Sequence, residues 1–482
     1  MAGGIRAAAV VAAVRGRADE TGRAGEVAAR AAGVSMLPVV SPATVSLSEV
    51  LAALSHALDL TEGQPMGHTI RSCLIGMRMA EELSLPPSDR SALYYALLLK
   101  DAGCSSNAAR MSSLFGSDDR MVKEKMKLAD WHKGVRLAVR TAGMVGAGKS
   151  FVARAKYFVG IARHGDVTRE IIQTRCDRGA SIALRLGFSE ETADAIRCLD
   201  EHWCGLGYPE GKCEEEIPLL ARIASIAQTI DVFHWRYGLA KTIGMLRQRR
   251  GRWFDPKLVD MVLGWRRDDA WWAALSADDV AGAVVAAEPS ENERQIDQTG
   301  LDVVAQAFGD IIDAKTPYTF RHSSGVASFA VAIAAQMGLP SNEQTRLARA
   351  GLLHDIGKLG VSNTILDKPG RLTDEERAEV EKHPLFTWEI LSRVTAFRDF
   401  AWMSALHHEK LDGSGYPWKL KADSLDASAR ILAVADMYEA MTADRPYRQG
   451  MSRDKALGIL NTDRSTRLSD VAIDALAACT AP

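Results

Sequence analysis

The chain has 482 residues and a formal net charge of −2, with 47% hydrophobic and 25% charged residues. That length exceeds what one ordinary core organises, so two or three domains are expected. Near-neutrality removes the electrostatic bias that would favour nucleic acid or a membrane surface, and no apolar run reaches the roughly 18 residues of a membrane span. The 7 cysteines lack paired spacing, which suits a reducing cytoplasm better than a disulfide framework. Residues 1–45, rich in Ala, Gly and Arg, read as a disordered or loosely helical leader. The apolar block at 7–14 lacks the cleavage pattern of a signal peptide.

Ordered structure is expected from Ser46. Ser46 and Glu49 form a capping-box pattern, and Val50, Leu51, Leu54 and Leu58 continue with helical spacing. From there the period stays near 3.6 and strand-like alternation is scarce, which predicts an all-α fold. The polar stretch "EPSENERQ" at 288–295 reads as a linker between a first unit, 46–287, and a second, 296–482.

The two units are related. At a constant offset of 254, "LLLKDAGC" (97–104) aligns with "GLLHDIGK" (351–358), and His68 aligns with His322. At an offset of 208, "GLGYP" (205–209) aligns with "GSGYP" (413–417), and "ARI" (221–223) with "ARI" (429–431). The change of offset places a 46-residue insertion in the first unit, within 105–175. Two ordered blocks of this kind indicate an internal duplication.

After residue 300 the chain has five histidines, His322, His354, His383, His407 and His408, accompanied by Asp355 and Asp436 on helical segments. Imidazole with carboxylate suits Fe, Mn, Zn, Ni or Co rather than Ca or Mg. Seven such groups exceed the needs of one ion and fit two ions sharing a bridging carboxylate, an arrangement suited to hydrolysis at phosphorus. Lys358 lies four residues beyond His354, on the same helix face.

The motifs "YTFRHS" (318–323), "HDIGK" (354–358), "KHP" (382–384), "HHEKLDGSGYP" (407–417), "ARILAVADMYEAM" (429–441) and "RPYR" (445–448) occur in one order over about 150 residues. Residues 297–450 resemble the HD-GYP domain, a branch of the HD phosphohydrolase superfamily. The resemblance implies two tandem HD-type helical bundles, the first degenerate. It also implies metal-dependent hydrolysis of a cyclic dinucleotide, most often cyclic di-GMP. By this resemblance His322, His354, Asp355, His383, His407, His408 and Asp436 hold two divalent ions, Fe or Mn, and Asp355 bridges them. Lys358 would stabilise developing charge or protonate the leaving 3' oxygen. Arg445 and Arg448 would clamp phosphates and guanine edges. Gly413, Gly415 and Tyr416 would form a loop beside the substrate.

Two departures stand out. Tyr318 replaces a glutamate that brings a third metal in some relatives, so two metals are expected. Thr387 replaces a usual glycine after His383 and removes no ligand.

In the first unit most of these positions fail. His68 and Asp101 survive, but His354 becomes Lys100, Lys358 becomes Cys104 and His383 becomes Arg175. His407 and His408 become Leu199 and Asp200, and Asp436 becomes Gln228. This unit is therefore expected not to hydrolyse. It is left for regulation, for homodimerisation or for docking a signalling partner, with Lys100 and Arg175 in a salt-bridged core or, as the rival reading, in an anion pocket. "GMVGAGKS" (143–150) matches a phosphate-binding loop but follows a helical segment rather than a strand, which argues against nucleotide triphosphate binding. Cys198, His202, Cys204 and Cys213 fit no standard zinc spacing.

The expected whole is a cytoplasmic cyclic-dinucleotide phosphodiesterase with no nucleic-acid or membrane partner. A broader HD-type nucleotide phosphohydrolase and a non-catalytic receptor or scaffold are the alternatives. The complete ligand set and Lys358 argue against the receptor.

Overall fold

The computed structural model describes residues 44–131, 134–146, 150–163, 165–276, 281–290, 293–319, 321–445 and 449–481. The expected leader lies outside them up to residue 43, as does Arg448. The first half runs β1 (Val45–Ser46), α1 (Leu47–Thr61), α2 (His68–Glu82), α3 (Pro87–Leu99), α4 (Ala108–Phe115), α5 (Asp119–Lys127), α6 (Gly134–Met144), α7 (Phe151–Arg163), α8 (Gly165–Arg185), α9 (Glu190–Arg197), α10 (Leu219–Tyr237), α11 (Leu239–Arg249), α12 (Pro256–Gly264), α13 (Asp269–Leu275) and α14 (Ala281–Ala286). The second runs β2 (Gln295–Ile296), α15 (Gln298–Asp313), α16 (His322–Gln336), α17 (Ser341–Leu353), α18 (Asn363–Leu366), α19 (Asp374–Val380), α20 (His383–Leu391), α21 (Arg398–Ala405), α22 (Ala427–Thr442), α23 (Arg453–Thr462) and α24 (Asp470–Cys479). Among the described residues the only strands are β1 and β2, so the fold is all-α.

The duplication is visible in three dimensions. α2 and α16, α3 and α17, and α9 and α21 begin and end at equivalent residues at the two offsets read from the sequence. A methyl group added to Gly357 would lie 2.0 Å from the His383 carbonyl, and one added to Gly103 would lie 1.9 Å from that of Arg175. Glycine at both places lets a following helix close onto the turn after α17 or α3. The 46-residue insertion forms α4–α7 and the start of α8, with its own small core around Phe115, Val122 and Val145.

Both ends of the stretch 288–295, expected as a linker, are bound into the fold. Glu288 accepts hydrogen bonds from Ser48 (2.6 Å) and Tyr95, and β2 pairs antiparallel with β1, Val45 opposite Ile296. β1 thus stands immediately before α1, at the expected start Ser46. One continuous hydrophobic core runs through both halves, with Leu54, Leu97 and Ile223 at one end and Phe308, Leu353 and Val434 at the other. α1 packs on the turn Ile356–Gly360 and on α20 of the second half. Thus the first half buttresses the segment that follows His354.

Capping sets several of these boundaries. Ser46 caps α1 through Glu49 N, and Thr373 with Glu376 forms the capping box that opens α19. Arg321, at φ +58°, turns the chain so that His322 is the first residue of α16. Among the described residues no helix is long and apolar enough to cross a membrane.

Candidate metal centre

The seven expected donors converge between α16, α17, α20, α21 and α22. Six are buried; the His408 side chain keeps 24% exposure. His354 closes α17 and Asp355 starts the following 3₁₀ turn. The Thr387 hydroxyl donates to the His354 carbonyl (2.7 Å) and accepts from Gly357 N (3.1 Å), tying that turn to α20. The threonine that departs from the family pattern is therefore a structural tie.

The imidazoles are oriented by one repeated local device. Nδ1 of His354 donates to Gly351 O, that of His383 to Val380 O, and that of His407 to Ser404 O, at 2.7, 2.7 and 2.6 Å. Each acceptor lies three residues upstream. This fixes the proton on Nδ1 and turns each Nε2 lone pair inward. His322 Nδ1 faces a different partner, the buried carboxylate of Glu439.

The inward atoms form two groups on either side of Asp355. Asp355 Oδ2 lies 3.6 Å from His322 Nε2 and 3.4 Å from His354 Nε2. Its Oδ1 lies 3.3 Å from His383 Nε2 and 3.6 Å from His407 Nε2. Asp436 Oδ1 approaches His322 Nε2 at 3.3 Å, and its Oδ2 is 3.8 Å from His408 Nδ1. Lys358 Nζ donates to Asp355 Oδ2.

Electrostatics favour cations here. Burial works against the charge on Asp355, but the neighbouring His354 and Lys358 hold its carboxyl well below the usual range. Asp436 is depressed likewise, burial being outweighed by its hydrogen bond with His322 and by His354 and His408. Burial pushes His383 down to about 4, leaving a neutral donor. His322 is pushed up to about 10: burial alone would lower it, but Asp436 and Glu439 override that. A site that draws a proton onto an imidazole between carboxylates will also draw a metal ion in its place. His354 Nε2 and Asp355 Oδ1 are buried without a hydrogen-bond partner. Such orphans are rare in folded proteins, and both aim into the cluster. The donor set thus fits divalent metal ions.

The loop 409–420 covers one side. Glu409 accepts from the backbone N–H groups of Trp418 (2.8 Å), Lys419 (3.2 Å) and Leu420 (2.8 Å). A methyl group on Gly415 would meet Glu409 Cα at 2.5 Å, and Gly413 has φ +79°, so both positions require glycine. The Tyr416 ring lies against His408, centroids 4.7 Å apart.

Arg445, expected as a phosphate clamp, is instead committed inward. Its side chain is 8% exposed and donates to Glu439 Oε2 (3.0 Å) and to the Tyr318 carbonyl. Because burying an unpaired guanidinium is costly, the carboxylate of Glu439 holds it in place. The segment has no counterpart in the first half: the offset rises from 208 (Leu219 against Ala427) to 214 (Leu239 against Arg453).

Three acids escaped the sequence reading: Glu439, Glu409 and Asp313, which accepts from the Ser323 hydroxyl (2.7 Å) and backbone (3.2 Å). The signal was available. Each has an acidic counterpart at the duplication's offset: Asp231, which faces His68 Nδ1 (2.7 Å); Glu201, which accepts from Glu210 N (2.7 Å); and Asp59, which accepts from the Thr69 hydroxyl (2.7 Å).

The first half's equivalent centre is a salt-bridged core. Lys100 Nζ occupies the space between His68 Nε2 (3.1 Å) and Asp101. Arg175 pairs with Asp200, and Lys127 with Glu62 (2.9 Å). Helix α6 leads into 143–150, where a phosphate-binding loop would need a strand; residues 147–149 lie outside the described residues. Cys198, His202, Cys204 and Cys213 form no group of converging metal donors among the described residues.

The family described as HD domain matches residues 105–258 and 306–473, one stretch in each half. A 3'3'-cGAMP-specific phosphodiesterase of Vibrio cholerae is 41% identical over 440 residues, covering 91% of this chain and 95% of the relative. A crystal structure of a cyclic GMP-AMP-specific phosphodiesterase of V. cholerae aligns with TM-score 0.63 and 38% identity, over 91% of this chain and 99% of that one. A cyclic di-GMP phosphodiesterase of Pseudomonas aeruginosa is 41% identical over 147 residues, 29% of this chain and 34% of the relative. With the acid–histidine cluster and its degenerate twin, these matches place the chain in the HD-GYP branch of the HD-domain family, as a metal-dependent phosphodiesterase.

Proposed function

We propose that the second half hydrolyses a 3'3'-cyclic dinucleotide at two divalent ions. One would be held by His322, His354, Asp355 and Asp436, the other by His383, His407, His408 and Asp355. The observation that carries this reading is the Asp355 carboxylate, whose two oxygens face two separate histidine groups. When bound, such ions supply Lewis acidity toward water and toward the phosphoryl oxygens; Fe or Mn suits this histidine-rich set.

The chain's own residues do the rest. Lys358, beside Asp355 and partly exposed, supplies positive charge and a proton toward the leaving 3' oxygen. Burial pushes the Tyr416 phenol up, so it remains a neutral hydrogen-bond donor at the rim. Gly413 and Gly415 shape the loop that presents it. Arg445 acts through Glu439 on His322 and is a positioning residue rather than a clamp. A phosphate-clamping role stays with Arg448.

The reading favours 3'3'-cGAMP, because the relative matched along both halves carries that substrate in its name. Cyclic di-GMP is the second reading, supported by the shorter match to the P. aeruginosa enzyme. The test is hydrolysis by the purified full chain loaded with Mn or Fe(II), offered each dinucleotide in turn and read by product chromatography. Faster turnover of 3'3'-cGAMP supports the first reading; faster turnover of cyclic di-GMP supports the second. Turnover of neither with two metals bound overturns both, and so does turnover that survives His354→Ala together with Asp355→Ala.

A further inference from the structure

The degenerate half contains a cavity of about 110 Å³ between its former centre and the inserted helices α4, α5 and α8. Roughly 10–15 Å³ on this scale admits one water, so the space exceeds what isolated solvent needs. Its lining is mostly apolar, with Phe115, Trp131 and Trp253 among the walls. The Trp131 and Trp253 rings lie 5.5 Å apart at 60°.

The charged groups beside it are already satisfied. Arg175 is held by Asp200, Lys127 by Glu62, and Lys123 by the carbonyls of Thr61 (3.1 Å) and Cys104 (2.8 Å). This removes the attraction an anion would need. Both oxygens of Glu62 lack a hydrogen bond but face Lys127 and Lys123 in ion pairs; the neutral acceptors left buried and without a hydrogen-bond partner in the lining are two amide oxygens, Asn107 Oδ1 and Gln228 Oε1. Asn107 is 4% exposed and Gln228 7%, and both line the cavity. Gln228 stands where the second half has Asp436, so the substitution converts a charged position into a neutral acceptor.

Buried acceptors left unmatched are destabilising, and an aromatic wall favours a flat partner. We propose that this cavity is a binding site for an uncharged planar nitrogen heterocycle of purine-base size. The faces of Trp253 are covered by His202 (centroids 3.9 Å apart) and Arg249 (4.0 Å), so the ligand's ring would pack against Phe115 and the edges of Trp131 and Trp253, and its N–H groups would donate to Asn107 and Gln228. The site is separate from the metal cluster and goes beyond the hydrolytic reading.

The two tryptophans provide the readout. The full chain is titrated with adenine, guanine and their nucleosides while tryptophan emission is followed. A saturable change with one site per chain is expected, and Asn107→Leu and Gln228→Leu should each weaken it at least tenfold. Hydrolysis without the heterocycle should be unchanged in Asn107→Leu. No saturable response from any of these probes would leave water as the occupant and overturn the proposal. A response equally strong in both variants would place binding elsewhere and do the same. Hydrogen exchange on the unaltered protein gives a measurement that does not depend on the variants folding. Ligand-induced protection is expected at 107–115 and 225–232; protection confined to 354–358, or none, overturns the proposal.

Discussion

Lys100 Nζ lies 3.1 Å from His68 Nε2 and also bonds Asp101. In the second half the matching lysine is replaced by His354, and the matching imidazole and carboxylate, His322 and Asp355, face each other at 3.6 Å across the candidate metal cluster. An ammonium group thus stands in for a cation, and the buried aspartate is neutralised without any ion. Lys100→Ala should leave Asp101 and His68 buried without that charge, at a cost of roughly 3–5 kcal/mol. Urea unfolding measures this. Metal content per chain should stay at two in the same variant and fall in Asp355→Ala; loss of metal from Lys100→Ala would contradict the assignment of both ions to the second half.

Glu439 orients His322 from behind, and Arg445 holds Glu439. Removing an outer-shell carboxylate of this kind typically costs about 10–100-fold in metal affinity or activity. Glu439→Gln should fall in that range, with raised metal added to the assay recovering part of the rate. Arg445→Ala should show the same recovery with a smaller loss. If Arg445 gripped the substrate instead, its removal would raise KM and added metal would not help.

The fold class, the duplication with both its offsets, and the seven residues that converge in the candidate centre were legible because each depends on local spacing or on repetition. Helical period and the motif order mark α16–α22 without knowledge of packing. What stayed hidden depends on tertiary closure. Glu439 sits three residues beyond Asp436 and reads as an exposed helix position until α16 is packed against α22. Arg445 has the composition of a phosphate clamp, and only the fold turns it toward Glu439. The stretch 288–295 has linker chemistry, but its end pairs with Val45–Ser46, some 250 residues earlier. A comparison of acids between the halves would have recovered Glu439, Glu409 and Asp313.

Thr387 joins the turn after His354 to α20 by two hydrogen bonds at a fully buried position. Thr387→Val keeps the volume and leaves Gly357 N and the His354 carbonyl unmatched. A loss of about 1–3 kcal/mol is expected, read by urea unfolding. Activity should fall with it, since the same bonds set His354 and His383 relative to Asp355. Thr387→Ser should retain both properties closely; an equal loss in Thr387→Ser would mean that packing of the methyl group, rather than the hydroxyl, matters.

Asp119 belongs to the insertion yet bonds the second half. Its carboxylate pairs with buried Lys315 (3.1 Å) and accepts from Asn363 N (3.0 Å). Lys315 and Lys123 hold it below the usual carboxylate range against the effect of burial. Asp119→Ala strands Lys315, so a loss of roughly 3–5 kcal/mol is expected by urea unfolding. Asp119→Ala with Lys315→Met removes both charges and should recover most of it. No recovery in the double variant would show that the bond to Asn363 is the greater contribution.

The first half also predicts a pH dependence. Burial, followed by the neighbouring Lys100, pushes His68 down to about 4 from an ordinary value near 6.5. In the folded chain its Nδ1 donates to Asp231 while its Nε2 faces the Lys100 ammonium, so protonation would set two cations against each other. The unfolded chain takes up the proton first. Between about pH 6.5 and 4 the unfolded state therefore binds more protons, and stability falls as pH falls through that window. The contribution is fully present above 6.5 and amounts to about 3 kcal/mol when lost. His68→Gln cannot titrate but can still accept from Lys100 and donate to Asp231. Melting curves of the two proteins should therefore converge as pH is lowered from 7 to 5, the unaltered chain losing more. Parallel curves would mean that the imidazole is not held neutral in the folded protein.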